Sequence, residues 1–517
     1  MDMYLASFPS PSIECIHLFV QGPAKTLTIS QPHAECVDRD FDTQNNSKTT
    51  VLTQELWTLL QFALPIFGTQ TLEYSLVSAS AISIGHLSTT ALAGITLGTM
   101  TSNVTGFSII QGLANALDTL LPSAWTSPQP HLVGLWSQRM TIVMFASLIP
   151  MYIAWFNAEA ILLFLKQDPE VARLAALYLR WVSLGLPAYA FNSISRRYFQ
   201  SQGLFAVPTR IVLIVAPINI LLNWFLVWGP EPFRLGFIGA PISTAISFNL
   251  ISIMSIIYGV VYAPRTAWCA PSHRMFSNLG ILVRLGLSGV GQTASEWWAW
   301  ELMALAASLI GPIALATQSI CLISASTTFQ APYALSIATA VRIGNLLGQG
   351  NAKRAAVTST TSMLLALAIG FCSSTMFFVF RKKWAYIFND DPEVVALVAS
   401  IMPIVALFQV FDGMAGVTGG ILRARGLQFL GALFNLSAYY MLGIPLGLYL
   451  AFKQHMNLHG LWLGLTVSLV YCAFAGTYVS LRTNWDLEVE KVAERVKAEE
   501  RARMEEVRIA AAEAEAA

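Results

Sequence analysis

Apolar runs long enough to cross a bilayer recur twelve times along the chain. The hydrocarbon core is about 30 Å thick and takes about 20 helical residues to span. The first six runs lie near 55–82, 90–118, 139–165, 172–195, 207–229 and 237–263. The second six lie near 281–309, 313–340, 355–380, 394–420, 427–452 and 458–481. The longest polar interruption holds Pro264-Arg265-Thr266 and Pro271-Ser272-His273-Arg274, which reads as a linker. The pattern predicts an all-α membrane protein of twelve transmembrane helices in two six-helix lobes. The N-lobe occupies 51–263, a linker 264–280, and the C-lobe 281–481.

The two sixes read as copies in one register. Asp168-Pro169-Glu170-Val171 recurs as Asp391-Pro392-Glu393-Val394, Gly203-Leu204 as Gly426-Leu427, and Ala91-Leu92-Ala93 as Ala314-Leu315-Ala316. Leu64, Gly68 and Glu73 fall on Leu287, Gly291 and Glu296 at the same offset. Six crossings return the chain to its starting side, so the halves insert in the same sense, related by an axis along the membrane normal. Such a pair encloses a cleft, and rocking about it gives alternating access.

Composition agrees. The 517 residues are 55% hydrophobic and 11% charged, too few charges to cover a water-facing surface. A net charge of +1 gives no argument for a nucleic-acid partner. The six cysteines form no CxxC pair and no His lies at zinc spacing, so neither a metal site nor a cofactor is expected. Residues 1–50, polar and rich in Asp, read as a disordered cytosolic tail without a signal peptide, in which the Asn45-Asn46-Ser47 sequon is not used. Residues 482–517, rich in Glu, Lys, Arg and Ala, read as a charged, solvated cytosolic helix supported by Glu494–Lys497 and Arg501–Glu505. Basic residues at loops and helix ends number twelve on the side of the chain ends, Arg139, Arg196, Arg197, Arg210, Arg342, Arg354 and Arg423 among them. Seven lie on the other side, including Arg381-Lys382-Lys383, so the bias puts both tails in the cytosol.

Ionisable residues at bilayer depth are costly and point to function by default. This chain offers Glu73 in the first helix, Asp118 near the inner end of the second, Arg180 in the fourth, Glu296 and Glu301 in the seventh, and Asp412 in the tenth. Glu296 opens the run Glu296-Trp297-Trp298-Ala299-Trp300-Glu301. At about 100° per residue, Glu296 shares a face with Gln292 and Trp300, whereas Glu301 shares one with Trp297. A carboxyl in an apolar, partly dry cavity has its charged form disfavoured. It can then exchange a proton for a cationic cargo, with the indoles offering cation–π surface. The plainer reading is a membrane Glu that bonds a neighbouring helix.

These residues resemble the multidrug and toxic compound extrusion (MATE) family in its eukaryotic, fungal-like branch. The resemblance runs from about Leu56 to Leu481. Its most specific pieces are Leu64-Pro65 with Gln70 and Glu73-Tyr74-Ser75, Gly85-His86-Leu87, Met100 to Gly106, Ala116-Leu117-Asp118-Thr119-Leu120, Glu296 to Glu301, Gln318-Ser319-Ile320, Val341 to Asn345, and Gly419-Gly420-Ile421-Leu422-Arg423. The resemblance implies a V-shaped exporter that exchanges a cation gradient, usually protons in eukaryotes, for organic cations or metabolites. It implies coupling roles for Glu296, Glu301 and Asp412, to which depth in the bilayer adds Glu73, and pocket positions at Gln70 and Asn103, to which the face analysis adds Gln292, Trp297 and Trp300. It departs from the family at Leu121 to Pro128, in place of the usual Gln-Ala-Tyr-Gly turn, and at Ile323, where some animal members carry an acid. The expectation is therefore a monomeric secondary antiporter of the plasma or vacuolar membrane, with lipid and a small cationic substrate as its partners. The alternatives are sodium coupling, or a lipid-linked saccharide flippase, which requires a more cationic cleft than the mainly acidic buried charges suggest. An intramembrane enzyme would need a metal cluster, a paired-Asp motif or a deep His, none of which the sequence offers.

Overall fold

The structure, a computed structural model, describes residues 48–85 and 89–516. The N-terminal tail reading (apart from 48–50), the sequon and His86-Leu87 lie outside the described residues. Regular structure among the described residues is entirely helical. The long helices are α1 (Lys48–Gly85), α2 (Thr89–Ser102, a π turn over Asn103–Phe107, then Ser108–Trp125), α3 (Leu132–Phe156) and α4 (Pro169–Ser201). They continue with α5 (Ala206–Trp228), α6 (Gly236–Val261), α7 (Leu279–Ile310), α8 (Pro312–Gly348) and α9 (Ala352–Phe380), then α10 (Pro392–Ala424), α11 (Gln428–Lys453), α12 (Asn457–Leu481) and α13 (Trp485–Ala516).

Twelve of these match the predicted crossings, with ends moved by up to nine residues. Nine combine the length and apolarity of a membrane span among the described residues. The remaining three, α1, α2 and α7, carry Gln70 and Glu73, Asn103 and Asp118, and Gln292, Glu296 and Glu301. The least oily helices thus hold most of the candidate residues, whereas Asp412 lies on α10, one of the most apolar spans.

The repeat is visible in the backbone. Asp168 and Asp391 both cap their helices, accepting from Glu170 N and Glu393 N, with Pro at the first helical position in each. Gly203 and Gly426 both sit in the left-handed region, at φ 79° and 76°, where they turn the chain between consecutive helices. Each six has its own apolar core. One runs through Leu117, Met140, Leu179 and Phe248, and the other through Met303, Val398, Phe408 and Trp462.

Bonds between the sixes gather toward the end of the bundle where α1 begins and α12 finishes, called here the terminal end. Thr126 Oγ1 donates to Asn345 O at 2.7 Å and Gln428 Nε2 to Thr119 Oγ1 at 2.7 Å. Pro122 packs on Gly344, so the atypical Leu121–Pro128 segment extends α2 and docks it on α8. Deeper in, α2 and α7 touch through glycines, for a β-carbon on Gly112 would lie 2.7 Å from Val290 N.

Three expectations change. The C-terminal helix is not freely solvated, because Glu488 and Glu499 are buried against the body; ion pairs within it join Glu488 to Lys491 and Glu505 to Arg508. Arg180 is half-exposed, 3.8 Å from Glu159. Six of the twelve basic residues counted on the terminal side (Arg139, Arg196, Arg197, Arg342, Arg354 and Arg423) are buried in ion pairs. They face carboxylates rather than lipid headgroups.

The α11–α12 contact depends on small residues. A β-carbon on Gly464 would strike Gly443 O and lie 2.6 Å from Gly447 Cα, whereas one on Gly280 would meet nothing within 4 Å. Gly464→Leu is expected to lower stability by about 1–3 kcal/mol through overpacking. Gly280→Ala should leave the melting temperature in detergent unchanged, and thermal unfolding of the two variants checks both.

Candidate functional site

In the first lobe the polar residues are tied together. α1 presents Glu73, whose carboxylate takes an ion pair from Arg196 on α4, and Gln70 Oε1 accepts from the same guanidinium at 3.5 Å. One residue on, Arg197 donates to Asp118 Oδ1 at 2.9 Å and to Asn115 Oδ1 at 2.8 Å on α2. Gln111 donates to Tyr189 Oη at 2.9 Å and closes the network. Sequence boundaries ended this helix at 195 and put Arg196 and Arg197 outside it. The helix runs to Ser201, so both guanidiniums lie inside the bundle. The pairs offset the cost of burying them.

The second lobe is built differently at the matching positions. The repeat sets Glu296 against Glu73, Asp412 against Tyr189, and Gly419 against Arg196. Glu296 therefore has no arginine at the position that neutralises its twin. The space beside Gly419 is taken instead by the Gln292 amide, with Nε2 3.1 Å from where a Gly419 β-carbon would be. No ion pair or hydrogen bond joins the side chain of Glu296, Glu301 or Asp412 to another described residue. Glu296 is half-buried and Asp412 buried. The two acids are close enough to act on each other electrostatically, and both act on Tyr439. Glu296 also feels Arg423 on α10 and acts on Cys472 on α12.

The structure thus brings Glu296 and Asp412 together and sets Glu73 with Gln70 apart, in an ion pair. Glu301 is half-buried on another side of α7, outside both groups. Gln292 is buried among glycines and offers its main-chain oxygen to Asn435 Nδ2 at 2.8 Å. Asn103 begins the π turn of α2 and is half-buried; such turns recur at functional positions. The three indoles diverge. Trp297 packs on the first lobe's core and Trp298 Nε1 donates to Val104 O at 3.1 Å. Trp300 stacks edge-on with Phe408 and Trp462 inside the second lobe.

Two carboxylates join the lobes near the terminal end, each between two arginines. Asp118 holds Arg197 of its own lobe and, at 3.2 Å, Arg423 of the other. Glu55, fully buried on α1, pairs with Arg342 on α8 at 2.8 Å and with Arg354 on α9, and accepts from Thr358 at 2.8 Å. The buried charges are therefore not mainly acidic, as the sequence suggested. The arginines outnumber the buried acids of the bundle, and each is paired with a carboxylate. Sequence reading missed Glu55 because it sits at the very start of the first apolar run.

The MatE family model matches residues 65–225 and 290–449, one match in each lobe. The chain belongs to the MATE family. An uncharacterized transporter of Schizosaccharomyces pombe is 38% identical over 456 residues, 88% of this chain and 84% of that protein. Multidrug and toxin extrusion protein 2 of Mus musculus is 34% identical over 436 residues, 84% of this chain and 75% of that one. Among solved structures, the eukaryotic MATE transporter AtDTX14 superposes with a TM-score of 0.81 at 30% identity, covering 86% of this chain and all of that one. This MATE protein is an integral membrane transporter rather than an enzyme, and the twelve-helix fold agrees with that of its relatives.

The pairing separates the duplicated acids by experiment. Glu73→Ala leaves the buried Arg196 uncompensated and is expected to cost roughly 3 kcal/mol. Glu296→Gln removes an acid that no partner neutralises and should leave stability unchanged or raised. Thermal denaturation of the purified variants distinguishes the two.

Proposed function

We propose that this MATE protein is a proton-coupled antiporter that extrudes organic cations or other small amphipathic molecules. The observation that carries the reading is the asymmetry of the repeat, in which Glu73 is matched by Arg196 while Glu296 and Asp412, within electrostatic reach of each other, have no cation bonded to either among the described residues. A carboxylate at this depth must be offset. A proton does so, and so does a cationic cargo, and the two exclude each other because they neutralise the same oxygens. Exchange then becomes obligatory. The names of relatives such as multidrug and toxin extrusion protein 2 support the substrate class.

Arg423 gives the acid pair a route to the lobe contact. It feels Glu296, holds Asp118 across the lobes, and donates to Ser336 Oγ at 2.7 Å. Glu296 and Asp118 act on the same guanidinium, so the proton or cargo that neutralises Glu296 is felt at the lobe contact. The units that move are the N-lobe (51–263) and the C-lobe (281–481), joined by the linker 264–280, with 482–517 as a tail. Because one chain holds both lobes and the cleft, a monomer suffices. Extrusion from the cytosol fits a plasma or vacuolar membrane with both chain ends cytosolic.

Sodium is the second reading, since two carboxyls with no bonded cation also suit a hard cation. Proteoliposome uptake of tetraphenylphosphonium or ethidium, driven by an imposed pH gradient in one arm and a sodium gradient in the other, decides between them. Wild type should respond to the pH gradient alone, and Glu296→Gln should lose about 10²-fold or more of that flux if it carries the coupling. Undiminished proton-driven flux in the variant would remove Glu296 from the mechanism, and sodium-driven flux would replace the ion.

A further inference from the structure

The C-terminal helix α13 lies across the terminal end and touches both lobes. Its first turns bind the second lobe. Trp485 and Val489 pack against the cluster that holds Leu346, Val417 and Ile421, and Val492 is buried in that cluster. Glu488 accepts from Arg425 Nη2 at 3.1 Å. Its later turns bind the first lobe. Val496 packs against that lobe's main core. Glu499, 5% exposed, takes a 3.0 Å ion pair from Arg139 and accepts from Asn278 Nδ2 at 3.0 Å. Glu488, Val492, Val496 and Glu499 are spaced as one stripe of a helix. From Trp485 to Glu499 the axis covers about 21 Å, enough to pass from one lobe to the other.

The receiving side is built to hold it. Arg139 is 1% exposed and lies 4.5 Å over the Trp136 ring. Its Nε donates to Arg274 O at 3.1 Å and its Nη2 to Ser277 Oγ at 2.9 Å, so its Nη1 is aimed at Glu499. Both bound acids face inward, while Glu490, Glu494 and Lys497 remain exposed on the opposite face. A helix in solution needs no buried glutamates, and these two are buried only because each lobe supplies an arginine for one of them.

We propose that α13 is a strap that clamps the two lobes together at the terminal end, through Glu488 on one lobe and Glu499 on the other, and must release one of them before that end can open. This rests on the reading that the lobes rock. It makes the tail a regulator of transport, because whatever loosens the Glu499–Arg139 pair favours the conformation open at that end.

Double electron–electron resonance on the full-length protein tests the strap without a known substrate. Spin labels at Arg210→Cys and Lys353→Cys, both exposed near the terminal end of opposite lobes, report their separation once the native cysteines are replaced by alanine. Glu499→Ala should raise the ratio of long to short distances about tenfold or more, and truncation after Asn484 should do the same. Glu494→Ala, on the solvent face, should match the parent. The strap is overturned if Glu499→Ala and the truncation both reproduce the parent distribution while the parent itself broadens between acid and alkaline pH, or if Glu494→Ala shifts it as much as Glu499→Ala does. A parent and variants that all stay narrow under every condition would count against rocking itself, and the strap would fall with it.

Discussion

A charge inside a bilayer has no water to turn to, so it must find an opposite charge or be neutralised. That constraint organises this molecule. Arg196 has Glu73, Arg197 and Arg423 have Asp118, Arg342 and Arg354 have Glu55, and Arg139 has Glu499. Among the described residues of the transmembrane bundle, the carboxyls of Glu296 and Asp412 have no such partner, and Glu301 lies half-buried nearby in the chain. The paired charges hold helices together, and the unpaired carboxyls are those proposed above to carry exchange.

Most paired charges also connect elements that must hold together, and several connect the lobes. Glu55 ties the first helix to α8 and α9, Asp118 ties α2 to α10, and the tail helix reaches from Arg425 to Arg139. Hydrogen bonds from Thr126 and Gln428 reinforce the same end. Buried ion pairs contribute little net stability relative to apolar packing but are costly to leave half-made. They suit a contact that must be either fully formed or fully exchanged, as the proposed rocking of the lobes would require. Arg423 pairs with Asp118 across the lobes and also lies within electrostatic reach of Glu296.

Much of this could be read from the chain before any coordinates. Twelve apolar runs gave twelve helices because a span is set mainly by length and apolarity, and α1, α2 and α7 keep long apolar runs around their polar side chains. The repeat register held down to the caps at Asp168 and Asp391 and the left-handed turns at Gly203 and Gly426, since those positions are dictated by local backbone chemistry. Glu296 stood out by composition, and its special status follows from the same register, which puts Gly419 where the first lobe has Arg196. What could not be read was partnership. Arg196, Arg197, Arg342 and Arg423 looked like headgroup-facing helix ends, and the tail's inward acids looked like any others on a charged helix. Which carboxylate a guanidinium meets depends on helices far apart in sequence, such as α1 with α8, and no local periodicity encodes it. The three indoles after Glu296 were treated as one surface for the same reason, although α7 sits between the lobes and sends them in different directions.

The competition of proton and cargo at one acid is tested most directly by the protons themselves. A transported cation, chosen from the flux assays, is titrated into detergent-solubilised protein in weakly buffered solution with a pH-sensitive dye. Wild-type protein should release protons in proportion to the cation bound, and Glu296→Gln should release none at matched occupancy. Equal release from both, or binding to wild type with no release at all, would contradict a shared site at Glu296.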